Sequence, residues 1–239
     1  MDSNAPFTTQ IPAPTAARPL LGLTILVVED SRYASDAIRL LCLRSGGRIR
    51  RADCLRSARR HLQVYRPSVV IIDIGLPDGN GIDLISELSQ ATPRVDAILA
   101  ISGDSFQEHD AIAAGANGFL LKPVTSIAKF QSEVLSTLPA ERQPKGPRKL
   151  DTSVVVPDRI AYQDDLAHIA DVLEDLPDEH ALGYVAQFLS GVARSADDLP
   201  LEEAAQALAA KRTLGQAVAS ETAAIAGMIQ HRLAGKIAI

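Results

Sequence analysis

Four apolar segments of strand length each end in polar side chains. The segments cover residues 25–28, 68–72, 97–101 and 118–121. The polar residues that follow them are, in chain order, Glu29 with Asp30, Asp73, Ser102 and Lys122. Uninterrupted Val, Ile and Leu runs are typical of parallel strands covered on both faces, and the carboxyl ends of such strands meet at one edge of a sheet. The pattern therefore predicts carboxylates, a hydroxyl and an ammonium group close together.

Asp73 by itself would be weak support for a site, because aspartate is common at the start of a turn. A turn rich in Pro and Gly does follow, at residues 75–81. Motifs of other chemistries are missing from the sequence. No strand segment is followed by G-x-G-x-x-G or G-K-[ST], no serine lies in G-x-S-x-G, and the histidines lack metal-ligand spacing. The combination of strand ends is thus the main chemical signal.

The order and spacing of these residues resemble the receiver domain of bacterial two-component response regulators, the CheY-like family. The joint motif is an acidic pair, an Asp before Leu-Pro, a Ser and a Lys-Pro, and the resemblance covers residues 20–139. It implies a flavodoxin-like, doubly wound sheet of five parallel strands in the order 2-1-3-4-5. It also implies a sensor histidine kinase or a histidine phosphotransfer protein as the partner that supplies a phosphoryl group.

The resemblance assigns a role to each strand-end residue. Asp73 would accept the phosphoryl group, and Ser102 and Lys122 would contact its oxygens. The ligands of a Mg²⁺ cofactor, a cation that prefers hard oxygen donors, would be Glu29, Asp30 and Asp73. The chain would be no enzyme beyond self-catalysed phosphoryl acceptance and slow autodephosphorylation.

A switch pair is implied as well, formed by Ser102 and Phe119. In the family, an aromatic residue at the position of Phe119 changes rotamer when the hydroxyl moves toward the phosphoryl group. Phe119 could equally be an ordinary core aromatic residue. If the switch operates, it should alter the surface formed by residues 103–114 and 126–138, and we expect the C-terminal part of the chain to dock there or to pair with a second copy.

The spacing of apolar residues predicts a helix after each of five strands. The helices lie around residues 34–41, 55–65, 82–88, 103–114 and 127–138, and a further short strand lies at 48–52. Alternating strands and helices with short connections indicate an α/β fold with a parallel sheet. The fold class and the resemblance therefore agree.

The rest of the chain differs in composition. Residues 1–19, with four prolines and little apolar periodicity, are predicted to be a disordered tail. Residues 140–150 carry Pro, Gly and a net charge of +3 and are predicted to be a linker. Residues 151–239 show four Ala-rich helical patterns, with turn signals at Pro177 and Asp178 and at 197–200, which predict an all-helical output or interaction region.

Charge argues against a DNA-binding output. Residues 151–239 contain six basic and fourteen acidic residues, and a net charge of −8 opposes phosphate binding. We expect a response regulator that switches protein contacts or self-association through this region. The alternative is a phosphorylation-controlled transcription regulator with an atypical DNA-binding C-terminal region. Arginines cluster between residues 44 and 66 with a single aromatic residue, Tyr65, among them, which favours a solvated surface over a binding site.

The composition predicts a cytoplasmic protein. Hydrophobic residues make up 46% of 239 residues, enough for real cores, and no apolar run is long enough to span a membrane. The N-terminus lacks the basic and apolar regions of a secretory signal. Cys42 and Cys54 have no metal-ligand spacing and are predicted to be free thiols.

Overall fold

The predicted parallel sheet is present in the computed structural model, which describes residues 12–175 and 178–235. Five parallel strands are hydrogen-bonded in the order β2-β1-β3-β6-β7, which is the predicted 2-1-3-4-5 order. A small antiparallel ribbon, β4 with β5, forms the turn after β3. The strands are β1 (Thr24–Val28), β2 (Arg48–Ala52), β3 (Val69–Asp73), β4 (Gly75–Leu76), β5 (Gly79–Asn80), β6 (Ala97–Ser102) and β7 (Gly118–Leu121).

A helix follows each strand of the main sheet, and side chains cap most of these helices. The helices are α1 (Arg32–Ser45), α2 (Leu55–Val64), α3 (Gly81–Gln90), α4 (Gln107–Ala113) and α5 (Ile127–Ser136). Ser31, Asn80 and Ser126 accept a hydrogen bond from a backbone N–H of the first turn of α1, α3 and α5, respectively. Gly46 ends α1 in the left-handed conformation, with φ of 85°, which glycine adopts without a steric penalty.

Two apolar layers cover the sheet, one on each face. Successive residues of a strand point to opposite faces, so Ile71 packs in the layer with α1 and α5 while Ile72 packs in the layer with α2 and α3. Both side chains are fully buried, as is Phe130 of α5. Burial on two sides explains why the central strands lack polar alternation, and it makes a rigid base for the residues at their carboxyl ends.

Strand β2 is the basic edge of the sheet. Three of its five residues are exposed, and all three are arginines (Arg48, Arg50 and Arg51). Charged side chains on an edge strand prevent unwanted pairing with other strands. On the neighbouring helix α2, Arg59 forms an exposed ion pair with Glu87 of α3. The exposed edge and this ion pair agree with the solvated surface that the sequence favoured.

The C-terminal region is helical, as predicted. Its helices are α6 (Arg159–Glu174), α7 (Glu179–Ser195), α8 (Leu199–Thr213) and α9 (Ala219–Ala234), and they enclose an apolar core of their own. Of the predicted turn at Pro177 and Asp178, Pro177 lies outside the described residues, and Asp178 caps α7. We call residues 158–235, apart from 176 and 177, the helical unit.

The described residues before and between the two folded parts contain short stretches of regular structure. Residues 1–11 of the predicted tail lie outside the described residues, but Thr15 and Arg18 form a hydrogen-bonded turn. In the predicted linker, Ala140–Arg142 is a short 3-10 helix. Val155 then packs into the core of the sheet domain, beside the start of α5. Within the described residues, no helix is long and apolar enough to cross a membrane.

Candidate functional site

The carboxyl-end edge of the sheet brings the predicted site residues together. Glu29 is fully buried, Asp73 is 6% exposed, and each offers a carboxylate oxygen that lies within 4.8 Å of the other and of one from Asp30. Lys122 Nζ lies 2.8 Å from Glu29 Oε2 and 3.0 Å from Asp73 Oδ2. Three acidic groups therefore share a single ammonium group, at the place where β1, β3 and β7 end.

Burial and crowding shift the protonation of this cluster. Loss of solvent, together with repulsion by Asp73, raises the pKa of Glu29 well above its usual range. The same two causes raise the pKa of Asp30 to about 7. Burial opposes the charged form of Lys122, but attraction to Asp73 and Glu29 outweighs it and raises the pKa of the ammonium group. The edge thus carries excess negative charge that a cation would relieve.

The donor set fits a hard divalent cation. Glu29 Oε2 is buried and accepts no hydrogen bond of good geometry among the described residues, but it forms an ion pair with the Lys122 ammonium group 2.8 Å away. The other Glu29 oxygen and one Asp30 oxygen accept from the backbone N–H of Ser31, which fixes the direction of both side chains. Three clustered carboxylates supply the hard oxygen ligands that Mg²⁺ and Ca²⁺ favour.

Ser102 lies at the same edge, but its hydroxyl is held by a residue that sequence reasoning missed. Ser102 is buried, and its Oγ donates to Gln107 Oε1 at 2.5 Å and accepts from the Asp104 backbone N–H at 3.1 Å. A glutamine in the first turn of a helix gives no sequence signal of such a contact. For the Ser102 hydroxyl to reach a group on Asp73, it would have to leave Gln107.

Phe119 lies in β7, opposite Ala100 of β6, and is partly buried against the apolar layer on the α2 and α3 side of the sheet. That placement fits an ordinary core aromatic residue as well as a switch. Its role with Ser102 stays a prediction.

The helical unit packs mainly on a face other than the expected one. It touches the surface of residues 103–114 at Gly103, through Arg194, but it mainly covers the carboxyl-end edge of the sheet and α1. Pairing with a second copy stays a prediction. Asp165 of α6 is 2% exposed and accepts three hydrogen bonds: from Ser31 Oγ (2.7 Å), the Arg32 N–H (2.7 Å) and the Tyr33 N–H (3.0 Å). A carboxylate at a helix N-terminus satisfies free N–H groups and the helix dipole, which explains this choice of face.

A second contact reaches the acidic cluster itself. The Tyr184 hydroxyl of α7 donates a 2.8 Å hydrogen bond to Asp30 Oδ2. The Tyr184 ring packs against Phe188 and His168, which hold it in place. One of the three clustered carboxylates is therefore bound by the helical unit.

Helix α7 also forms one wall of a cavity over the cluster. The cavity has a volume of about 320 Å³, and its lining includes Asp73, Ser102 and Lys122 from the sheet and Gln187 and Arg194 from α7. Sequence reasoning found none of the α7 residues. They are ordinary polar residues on a helix, more than 60 positions from the nearest strand end in the chain, so only the tertiary structure places them here.

Comparison with known proteins identifies the receiver part. Residues 25–133 match the family model of the response regulator receiver domain, and this part of the chain is a receiver domain. Among curated relatives, KDP operon transcriptional regulatory protein KdpE of Escherichia coli is 30% identical over 99 residues, which are 41% of this chain and 44% of that protein. Transcriptional regulatory protein CitB of Klebsiella pneumoniae is 34% identical over 106 residues, 43% of this chain and 45% of that protein.

The chain thus spans less than half the length of these curated relatives. Among solved structures, a putative response regulator from Chloroflexus aurantiacus is 28% identical, with a TM-score of 0.41 over 42% of this chain and 85% of that one.

Proposed function

We propose that this chain is a phosphorylation-controlled response regulator whose acceptor is Asp73. The observation that supports this most is the convergence of Asp73 with two more carboxylates and a buried lysine at the carboxyl edge of a receiver sheet. Asp73 ends the central strand, while Glu29 and Asp30 directly follow the strand beside it. By resemblance, a sensor histidine kinase or a histidine phosphotransfer protein would supply the phosphoryl group.

Mg²⁺ is the cofactor we propose for this site. Glu29, Asp30 and Asp73 would hold it, and when bound it supplies positive charge against an anionic phosphoryl donor. The ion would also relieve the repulsion that raises the pKa values of Glu29 and Asp30.

Apart from the proposed Mg²⁺, the transfer needs only groups on this chain and a donor. An oxygen of the Asp73 carboxylate attacks phosphorus, and the bond to the leaving group breaks with its electron pair going to that group. Lys122, already 3.0 Å from Asp73 Oδ2, neutralises charge on the phosphoryl oxygens. The Ser102 hydroxyl donates a hydrogen bond to another phosphoryl oxygen once it has left Gln107. Hydrolysis by water then breaks the acyl phosphate and returns the carboxylate and inorganic phosphate.

Labelling with a small phosphodonor tests the acceptor. Incubation with acetyl phosphate and Mg²⁺ should add one acid-labile phosphate, seen as a mass increase of the intact protein, and Asp73→Asn should abolish it because an amide cannot form the acyl phosphate. Asp104→Asn is the matched control, since Asp104 lines the same cavity outside the carboxylate cluster. Labelling of Asp73→Asn equal to that of the unmodified chain would contradict the proposal.

Magnesium binding should depend on both Asp30 and pH. Asp30→Asn removes one ligand and should weaken Mg²⁺ binding at least about 10-fold. Because the pKa of Asp30 is raised to about 7, protons compete with the metal, and affinity should fall about 10-fold from pH 8 to pH 6. Calorimetric titration in buffers of different ionisation enthalpy would also detect the released proton.

Asp53→Asn is the control for metal binding. Asp53 is an exposed carboxylate just after the neighbouring strand β2. Equal Mg²⁺ affinity in Asp30→Asn and Asp53→Asn would exclude Asp30 as a ligand.

For the output, we propose protein contacts or self-association through the helical unit. The alternative, a transcription regulator, is favoured by one observation: the curated relatives KdpE and CitB are transcriptional regulatory proteins. The matches cover under half of each of them, and residues 151–239 carry a net charge of −8, which opposes DNA binding. Salt-dependent retention on DNA, before and after phosphodonor treatment, separates the two.

A further inference from the structure

Helix α7 crosses the acceptor site from one strand end to another. Gln187 and Arg194 are seven residues apart, which is two helical turns, so they lie on one face of α7 about 10 Å apart along its axis. Gln187 contacts Gly75, in the segment after β3, and Arg194 contacts Gly103, just after β6. Both residues line the cavity that contains Asp73.

Arg194 brings a second cation to this cavity. Among the described lining residues there are four carboxylates (Glu29, Asp30, Asp73 and Asp104) but only two cations, Lys122 and Arg194. Arg194 Nη1 donates to the Gly103 carbonyl oxygen at 2.6 Å, and Nε donates to Glu202 Oε1 at 2.7 Å. Within the described residues Nη2 has no hydrogen-bond partner. The guanidinium is thus held in place with donors left over.

Gln187 occupies the space beside Gly75, a receiver residue that has no side chain of its own. A Cβ on Gly75 would lie 2.1 Å from Gln187 Nε2, so the amide occupies the position of a side chain at residue 75. Gly75 is two residues after Asp73. Gln187 therefore presents an amide beside the acceptor that the receiver sequence does not supply itself.

We propose that Arg194 and Gln187 of the helical unit bind the phosphoryl group on Asp73. This inference rests on the proposed function. A phosphoryl group is a compact anion with several acceptor oxygens, and a guanidinium and an amide are the donors that suit it. Each donor comes from the unit that must respond to phosphorylation. The phosphoryl group would then be sensed by direct contact with α7, and phosphorylation would tighten the docking of the helical unit.

Binding of beryllium trifluoride, a stable phosphoryl analogue, would test this on the full chain with Mg²⁺ by calorimetric titration. Arg194→Ala removes a charge-assisted contact and should weaken binding at least about 10-fold, and Gln187→Ala should weaken it several-fold. Arg159→Ala and Gln216→Ala change the same residue types at exposed positions of the same unit, outside the cavity, and should leave affinity unchanged.

One further variant separates binding from structure. Glu202→Gln weakens the ion pair that holds Arg194 to α8 but keeps the guanidinium, so it should bind the analogue nearly as well as the unmodified chain. If Glu202→Gln weakens binding as much as Arg194→Ala, Arg194 acts only by bracing α7, and the inference is overturned.

The acceptor variant shows which proposal fails. Asp73→Asn should lose analogue binding entirely. If it does so while Arg194→Ala and Gln187→Ala bind normally, the inference is wrong and the acceptor site stands. If the unmodified chain binds no analogue and takes up no phosphate, the proposed function itself is wrong.

Discussion

Replacement of Lys122 by alanine should destabilise the metal-free receiver by about 3 to 5 kcal/mol. The side chain is only 10% exposed and is the counter-charge of Glu29 and Asp73, which are themselves buried. Without it, two carboxylates would remain close together in a site of low polarity. The same variant should also lose phosphoryl uptake, since Lys122 is the ammonium group beside the proposed acceptor, Asp73.

The sign of the pH dependence follows from the carboxylates. Removal of Lys122 raises the folded-state pKa of Glu29 further. When the pKa of an acid is higher in the folded than in the unfolded state, the free energy of unfolding of the protein decreases as pH rises toward the folded-state pKa. The destabilisation should therefore be larger at pH 8 than at pH 6, and Mg²⁺ should reduce it. Urea unfolding in EDTA and in Mg²⁺ would measure both effects.

Lys129→Ala is the control for this stability test, because Lys129 is an exposed lysine of α5. If Lys122→Ala and Lys129→Ala unfold at the same urea concentration in EDTA, the buried lysine does not stabilise the acidic cluster.

Replacement of Asp165 by alanine should release the helical unit from the receiver. Three donors at the start of α1 would lose their buried acceptor, and hydrogen bonds to a charged group contribute about 1.5 to 3 kcal/mol each in favourable cases. Because water can bind the three donors after release, we expect the free energy of docking to weaken by a net amount of about 2 to 4 kcal/mol. Faster amide exchange at Arg32 and Tyr33, and a larger hydrodynamic radius, would report it.

The adjacent residue provides a close control. Asp164 pairs with Arg32 at 2.7 Å, but the two side chains are 39% and 61% exposed, and exposed ion pairs contribute about 0 to 1 kcal/mol. Asp164→Ala should therefore leave the unit docked. If exchange at Arg32 and Tyr33 is the same in both variants, the buried carboxylate is not the anchor of the helical unit.

The observed docking changes how phosphorylation and output can be connected. A unit that packs on a distant face must be reached through a chain of side-chain movements, whereas this unit already contacts the acidic cluster through Tyr184 and lines the acceptor cavity. A ligand shifts an equilibrium only by its different affinity for the two states. A phosphoryl group on Asp73 would contact α7 directly, without intermediate side-chain movements. Because α7 covers the site, a protein donor would have to reach Asp73 around this helix.

The carboxylate cluster follows from the sequence because its physical causes are local and repetitive. Apolar runs at strand length fix buried parallel strands, and parallel strands place their carboxyl ends at one edge. Glu29, Asp73 and Lys122 each lie at such an end, so their convergence needs only the strand order. The helices of both parts were predictable for the same reason, since apolar periodicity and helix caps depend on residues close together in the chain.

The tertiary structure alone decides what covers that site. Asp165, Tyr184 and Arg194 are ordinary polar residues on helices, and nothing near them in the chain distinguishes them from solvent-facing neighbours such as Asp164. Their contacts join positions more than 90 residues apart, as in the pairs Ser31 with Asp165 and Gly103 with Arg194. Which face of one folded unit packs on another depends on the complementarity of two finished surfaces, and periodicity along the chain carries no record of that.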